Sequence, residues 1–100
     1  MNKLINEELD GIIEKHGYYN SRKEAWATAL EELQEVNEEY LVIEELLQEL
    51  WHSHCRKDTA KANPHLMDIL DRLDHRSECL VKEAIQIAAV IKKIKAGELK

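Results

Sequence analysis

Apolar residues recur at three- and four-residue spacing along almost the whole chain, which is the period of a helix with one buried face. Leu4, Ile5, Leu9, Ile12 and Ile13 form the first such stripe and predict a helix over Asn2–Lys15. His16-Gly17 closes it, with Gly17 free to take the left-handed conformation that ends many helices. After a short connection of Tyr18, Tyr19 and Asn20, Ser21-Arg22-Lys23-Glu24 reads as a capping box. In such a box the Ser21 hydroxyl accepts from the Glu24 amide while the Glu24 side chain reaches back. From there Ala29, Leu33, Val36, Tyr40, Ile43, Leu47, Leu50 and His54 alternate by four and three. That heptad seam predicts a helix to about Arg56, roughly 50 Å long at the helical rise.

Lys57 to Asn63 is the expected turn, and Asn63-Pro64 reads as an N-cap followed by proline at the first helical position. The next helix carries its own seam, Leu66, Leu70, Leu73, Ser77, Leu80, Ala84, Ile87, Ile91 and Ile94, and Ala96-Gly97 is its expected end. Two long seams joined by a short turn bury each other as an antiparallel hairpin. The expected fold is therefore all-α: a short N-terminal helix plus a long helical hairpin, with residues 1–100 as a single domain. Helices of this length overreach a compact globule of 100 residues, so a homo-oligomeric helical bundle, dimer or tetramer, is expected to bury the remainder.

Composition supports this reading. With 44% hydrophobic and 34% charged residues, three Gly, one Pro and no Phe, the chain has few turn-formers and the profile of a globular protein. The net charge of −6 disfavours nucleic acid, since basic residues cluster only at Lys92, Lys93 and Lys95. No apolar run approaches the ~18 residues of a membrane span, and the two cysteines, Cys55 and Cys79, show no disulfide-scaffold pattern. The expected setting is a reducing cytoplasm, with no membrane partner.

Charge within the second helix changes the picture. Between Lys23 and Arg56 there is no Lys or Arg, but there are nine glutamates, at 24, 31, 32, 35, 38, 39, 44, 45 and 49. Neighbouring like charges on a helix cost about 0.2–0.5 kcal/mol each, so something positive is expected to compensate. Basic side chains of the third helix, a basic partner or a bound cation would each serve. Glu32 and Glu35 share a face, as do Glu83 and Gln86. With the turn taken as symmetric about residues 60 and 61, Glu35 falls level with Gln86, and Glu83 with Glu38. Hard oxygen ligands converging from facing helices suit Mg²⁺ or Mn²⁺.

The run Glu31-Glu32-Leu33-Gln34-Glu35, followed on a later helix by Glu83-Ala84-Ile85-Gln86, resembles the paired EExxE and ExxD motifs of the MazG-like all-α NTP pyrophosphatases. The stretches Gly17–Ala25 and Lys82–Ala89 resemble short phage-type members of that family. The likeness covers roughly residues 16–40 and 80–95. It implies Glu32, Glu35 and Glu83 as Mg²⁺ ligands, with Gln86 in the fourth position where the family has Asp. It further implies cleavage of a nucleoside triphosphate to the monophosphate and pyrophosphate. In that reaction Glu31 or Glu38 would orient water, and Lys82 or Lys93 would contact phosphate. The alternative is the same bundle without catalysis, a scaffold whose acidic face docks a basic partner.

Tyr18, Tyr19 and Trp26 either stack on a nucleobase or anchor the first helix to the core. His52, His54, Cys55, His65, His75 and Cys79 suggest zinc by composition, but their spacing offers no four-ligand structural set. His54 occupies a seam position and is expected to be a partly buried polar residue near the hairpin tip.

Overall fold

The computed structural model describes residues 1–57 and 63–98. Its elements are α1 (Asn2–His16), α2 (Arg22–Leu50), a π-helical turn (Trp51–Cys55) and α3 (Pro64–Glu98). Among the described residues there is no strand, and no helix is long and apolar enough to cross a membrane. The expected turn falls largely on residues 58–62, outside those described.

The helix ends follow their local chemistry. Gly17 terminates α1 with its N–H bonded to the Ile13 carbonyl at 2.8 Å. Its φ of 68° and ψ of −160° place it in a positive-φ region that is extended in ψ, not in the left-handed helical region expected from sequence. Only glycine populates that region readily. The Ser21 hydroxyl accepts the Glu24 amide at 3.1 Å, as the capping box requires. The Glu24 carboxylate reaches one residue further back and accepts the Asn20 N–H at 3.3 Å. On α3, the Asn63 side chain accepts the Leu66 amide at 2.9 Å, fixing the N-cap ahead of Pro64.

Two helix ends depart from expectation. α2 stops being α-helical at Leu50, and the next turn closes through a wider bond from the Arg56 amide to the Trp51 carbonyl, 2.8 Å. At the other end, α3 runs past Ala96-Gly97 to Glu98. Gly97 stays helical with the Tyr18 ring beside it, where an added Cβ would lie 3.5 Å from the ring. Beyond it, Glu98 receives Arg22 through contacts of 2.7 and 3.1 Å.

The chain divides into two compact units, Met1–Val36 with Val81–Lys100, and Asn37–Leu80. In the first, α1 and the opening half of α2 pack on the closing half of α3 around Ile5, Ala25, Ala89, Val90 and Lys93, all buried. In the second, Leu46 and Ile69 are buried, and Arg76 reaches Glu39 at 3.4 Å. Within each unit α2 and α3 are antiparallel neighbours, as the hairpin requires.

The seam itself is rotated. Half of it matches expectation: Ala29, Val36, Ile43 and Leu50 on α2, and Leu66, Leu73, Leu80, Ile87 and Ile94 on α3, are half-buried. The other half does not. Leu33, Tyr40 and Leu47 are exposed, as are Leu70, Ser77, Ala84 and Ile91. Their inward places go to Ala25, Glu32, Glu39 and Leu46, and to Ile69, Arg76, Glu83 and Val90, two strings with the same seven-residue spacing. Each inward string thus has apolar ends and a charged middle, which a hydrophobicity pattern alone places outside.

Replacing the Ser21 cap leaves a helix-start amide without its acceptor. Ser21→Ala is expected to lower the unfolding free energy by about 1 kcal/mol in chemical denaturation, with the helix content of the native state unchanged.

Candidate functional site

The charged middle of the first unit is where carboxylates converge. Glu32 and Glu35 rise from one face of α2, and Glu83 faces them from α3. One ligand atom from each lies within 4.8 Å of the others. The symmetric-turn register had placed Glu83 level with Glu38, about one helical turn further along α2.

Crowding and partial burial act on Glu32 most strongly. Its Oε2 atom is buried and has no hydrogen-bond partner among the described residues. Loss of hydration, then the charges of Glu35 and Glu83, a hydrogen bond with Glu35 that favours the protonated form, and the charge of Glu31 push its pKa up to about 7. A carboxyl shifted this far by desolvation and neighbouring charge, beside a cavity, is a candidate functional group.

A cavity of about 450 Å³ opens beside Glu32. Gln86 lines it, together with Tyr18, Tyr19, Asn20, Glu24, Thr28, Val90 and Lys93, and α1 supplies Glu8, Ile12 and His16. Lys93 is the one buried charged residue in this unit's described core, 4% exposed. Its Nζ sits 3.9 Å from the centre of the Tyr19 ring, a cation–π contact. Burial lowers the Lys93 pKa, and the Glu24 carboxylate opposes that shift. Burial also raises the Tyr19 phenol above its ordinary range, partly offset by a hydrogen bond with Thr28. The cavity therefore carries three carboxylates, Glu8, Glu24 and Glu32, a buried ammonium, and an aromatic ring in contact with that ammonium.

The structure brings together Glu32, Glu35 and Glu83, and gathers Glu32, Gln86, Tyr19 and Lys93 on one cavity. Other expected site residues are not among this cavity's lining. Trp26 is 67% exposed and borders a separate apolar hollow with Ala29, Ile91 and Ile94. Lys82 is exposed and lines a neighbouring pocket that shares Glu8 and Gln86 with the cavity. Glu31 is exposed and acts on Glu32 through its charge. Glu38 is exposed and belongs to the second unit. Sequence reasoning missed Glu24 and His16 as cavity residues. Glu24 was visible only as a cap, and its charge toward Lys93 depends on how α3 docks.

The raised Glu32 pKa fixes a sign for the metal-free protein. A carboxyl whose folded pKa exceeds its unfolded value stabilises the fold below the unfolded pKa and loses that contribution as pH rises through the folded pKa. Stability from this group should therefore fall between about pH 4.5 and about pH 7. Glu32→Gln is expected to flatten that slope and raise stability at pH 8. The gain should be on the order of 1 kcal/mol, reduced from the full pKa difference by the carboxyl's contact with water. Denaturation midpoints across this range, measured in chelator, test it. No family model, curated protein or solved structure matches this chain.

Proposed function

We propose that this chain is a metal-dependent nucleoside triphosphate pyrophosphohydrolase of the cytoplasm, acting as a homo-oligomer. The observation that carries the reading is the Glu32–Glu35–Glu83 cluster, whose Glu32 lines a cavity that also holds a buried lysine over an aromatic ring. Three carboxylates with a buried, unpartnered Glu32 oxygen are a donor set that fits a hard divalent ion. The motif likeness to MazG-like pyrophosphatases favours the same residues.

Glu32, Glu35 and Glu83 would hold Mg²⁺ or Mn²⁺, with the Gln86 amide oxygen as a neutral neighbour on the same cavity. When bound, such an ion neutralises phosphate oxygens and acidifies water. The chain supplies the rest. Lys93 would offer its ammonium to phosphate, which, like Glu24, would offset the cost of burying that charge. Tyr19 contacts the ammonium through its ring face. Glu31 lies next to the cluster as a carboxylate free to orient water. Ile12 and Val90 supply the apolar part of the cavity wall.

The deciding assay is release of pyrophosphate from a panel of ribo- and deoxynucleoside triphosphates, with Mg²⁺, with Mn²⁺ and with chelator. Metal-dependent formation of pyrophosphate and monophosphate is expected, reduced at least a hundredfold by Glu83→Gln and at least tenfold by Lys93→Gln. Absence of turnover with every substrate would favour the scaffold reading, for which the neutral Gln86 in the Asp position is the specific support.

The exposed members of the rotated seam supply the oligomer. On α2, Trp26, Leu33, Tyr40 and Leu47 recur every seven residues and are each half exposed or more, and a second copy would cover them. Sedimentation equilibrium is expected to show a dimer or tetramer for the native chain, and a monomer for Leu33→Glu combined with Leu47→Glu.

A further inference from the structure

The second unit contains a polar cluster that the proposed hydrolase does not use. His54 Nε2 and His65 Nδ1 lie 2.6 Å apart, with ring centres separated by 4.9 Å. On the other side of the His65 ring, Nε2 is 3.2 Å from the Glu49 carboxylate. Because an ionised carboxylate only accepts, His65 Nε2 carries the hydrogen in the neutral ring, and the Nδ1 lone pair points at His54. A histidine with one nitrogen bonded to a carboxylate and the other aimed at a second imidazole has the arrangement that supports metal ligation.

Local backbone produces this arrangement. Residues 49 and 54 are five apart, which on a regular α-helix puts them on different faces. The π turn over Trp51–Cys55 widens the coil there and swings His54 toward the side that Glu49 occupies. His65 enters from the first turn of α3, held by the Asn63 cap. Single π turns inside helices recur at functional sites. This one places an imidazole where the heptad string 33-40-47 would leave it exposed, and His54 is half-buried.

We propose that His54 and His65 form a second, independent metal site that takes a borderline transition-metal dication such as Zn²⁺, Ni²⁺ or Co²⁺. His54 Nε2 and His65 Nδ1 are its two protein ligands, Glu49 is the outer carboxylate that fixes the His65 tautomer, and water fills the open positions. Imidazole nitrogen selects these ions over Mg²⁺. Two bonds of ~2.0–2.1 Å at a tetrahedral angle set the nitrogens about 3.3 Å apart. From 2.6 Å, that needs a displacement of under 1 Å in side chains that border solvent. The site differs from the Glu32–Glu35–Glu83 cluster in ligand type and in unit, and it does not rest on the hydrolase reading.

The test is titration of the full chain with Co²⁺ in chelator-treated buffer. Visible absorption and the paramagnetic broadening of the histidine ring signals in NMR are followed together. Among the histidines, Co²⁺ is expected to broaden His54 and His65 at lower concentration than His16, His52 and His75. His65→Ala should weaken this binding at least tenfold. Glu49→Gln, which leaves both ligand nitrogens in place, should weaken it by about 10–100-fold. Glu35→Gln should leave it unchanged. Retention of helical circular dichroism verifies folding of each variant, and the broadening pattern in the native chain decides even if a variant unfolds. Equal broadening of all five histidines, or an effect below twofold from both His65→Ala and Glu49→Gln, would overturn the proposal and leave the pair as a hydrogen bond alone.

Discussion

Self-repulsion along α2 is the constraint that the rest of the structure answers. This helix carries glutamate after glutamate and no lysine or arginine beyond Lys23, so its own sequence offers none of the Glu–Lys pairs that normally steady an exposed helix. Relief comes from other elements, and in different chemical forms. Arg76 of α3 reaches Glu39, whose side chain is only 19% exposed, so water weakens that pair less than it would a surface one. Lys93 of α3 stands near Glu24 and is itself buried. The His65 ring, without a charge of its own, donates its Nε2–H to Glu49. At Glu32, crowded by Glu35 and Glu83, the repulsion is answered by a carboxyl pKa pushed up to about 7.

The same constraint explains the rotated seam. A heptad pattern identifies the faces of a helix that are apolar, and three neighbouring strings on α2 are candidates for the inside. Ala29, Val36, Ile43 and Leu50 are inside in either arrangement. The second inward string is chosen between Leu33-Tyr40-Leu47, which is apolar throughout, and Ala25-Glu32-Glu39-Leu46, which is not. Area burial alone favours the first. The structure takes the second, in which Arg76 on α3 gives Glu39 an opposite charge, while Glu24 and Lys93 interact in the first unit. Those pairings depend on two helices at once, so no reading of one helix by itself could find them. Conflict between local pattern and final packing is expected to concentrate at functional places.

The candidate site was legible to different depths for the same reason. Glu32 and Glu35 stood out because three-residue spacing puts both carboxylates on a common helix face whatever the docking angle, and Glu83 joined them through the motif resemblance. Tyr19 and Lys93 were separate guesses whose contact appears only when the loop after α1 meets the end of α3. Trp26 was placed near a nucleotide by its chemistry, yet its position on α2 turns it toward the outer string and a different hollow. Glu24 carried a visible capping signal that concealed its second role beside Lys93. At the tip, composition pointed to the histidines, but the pairing of His54 with His65 required a π turn that spacing rules based on a regular helix cannot supply.

Retaining Glu32 and Glu83 inside is costly, and the cost defines what the cluster can do. Apolar side chains of similar size at these places would remove the repulsion and bury surface, so stability alone gives no reason for the carboxylates. Their protonation does. With the Glu32 pKa pushed up to about 7, the cluster holds a proton in part near neutral pH and becomes repulsive as pH rises. On the proposed reading a divalent ion would have to displace that proton, so its affinity would rise over the same interval. Proton and cation would then be alternative solutions to one electrostatic problem, set by three side chains on two helices.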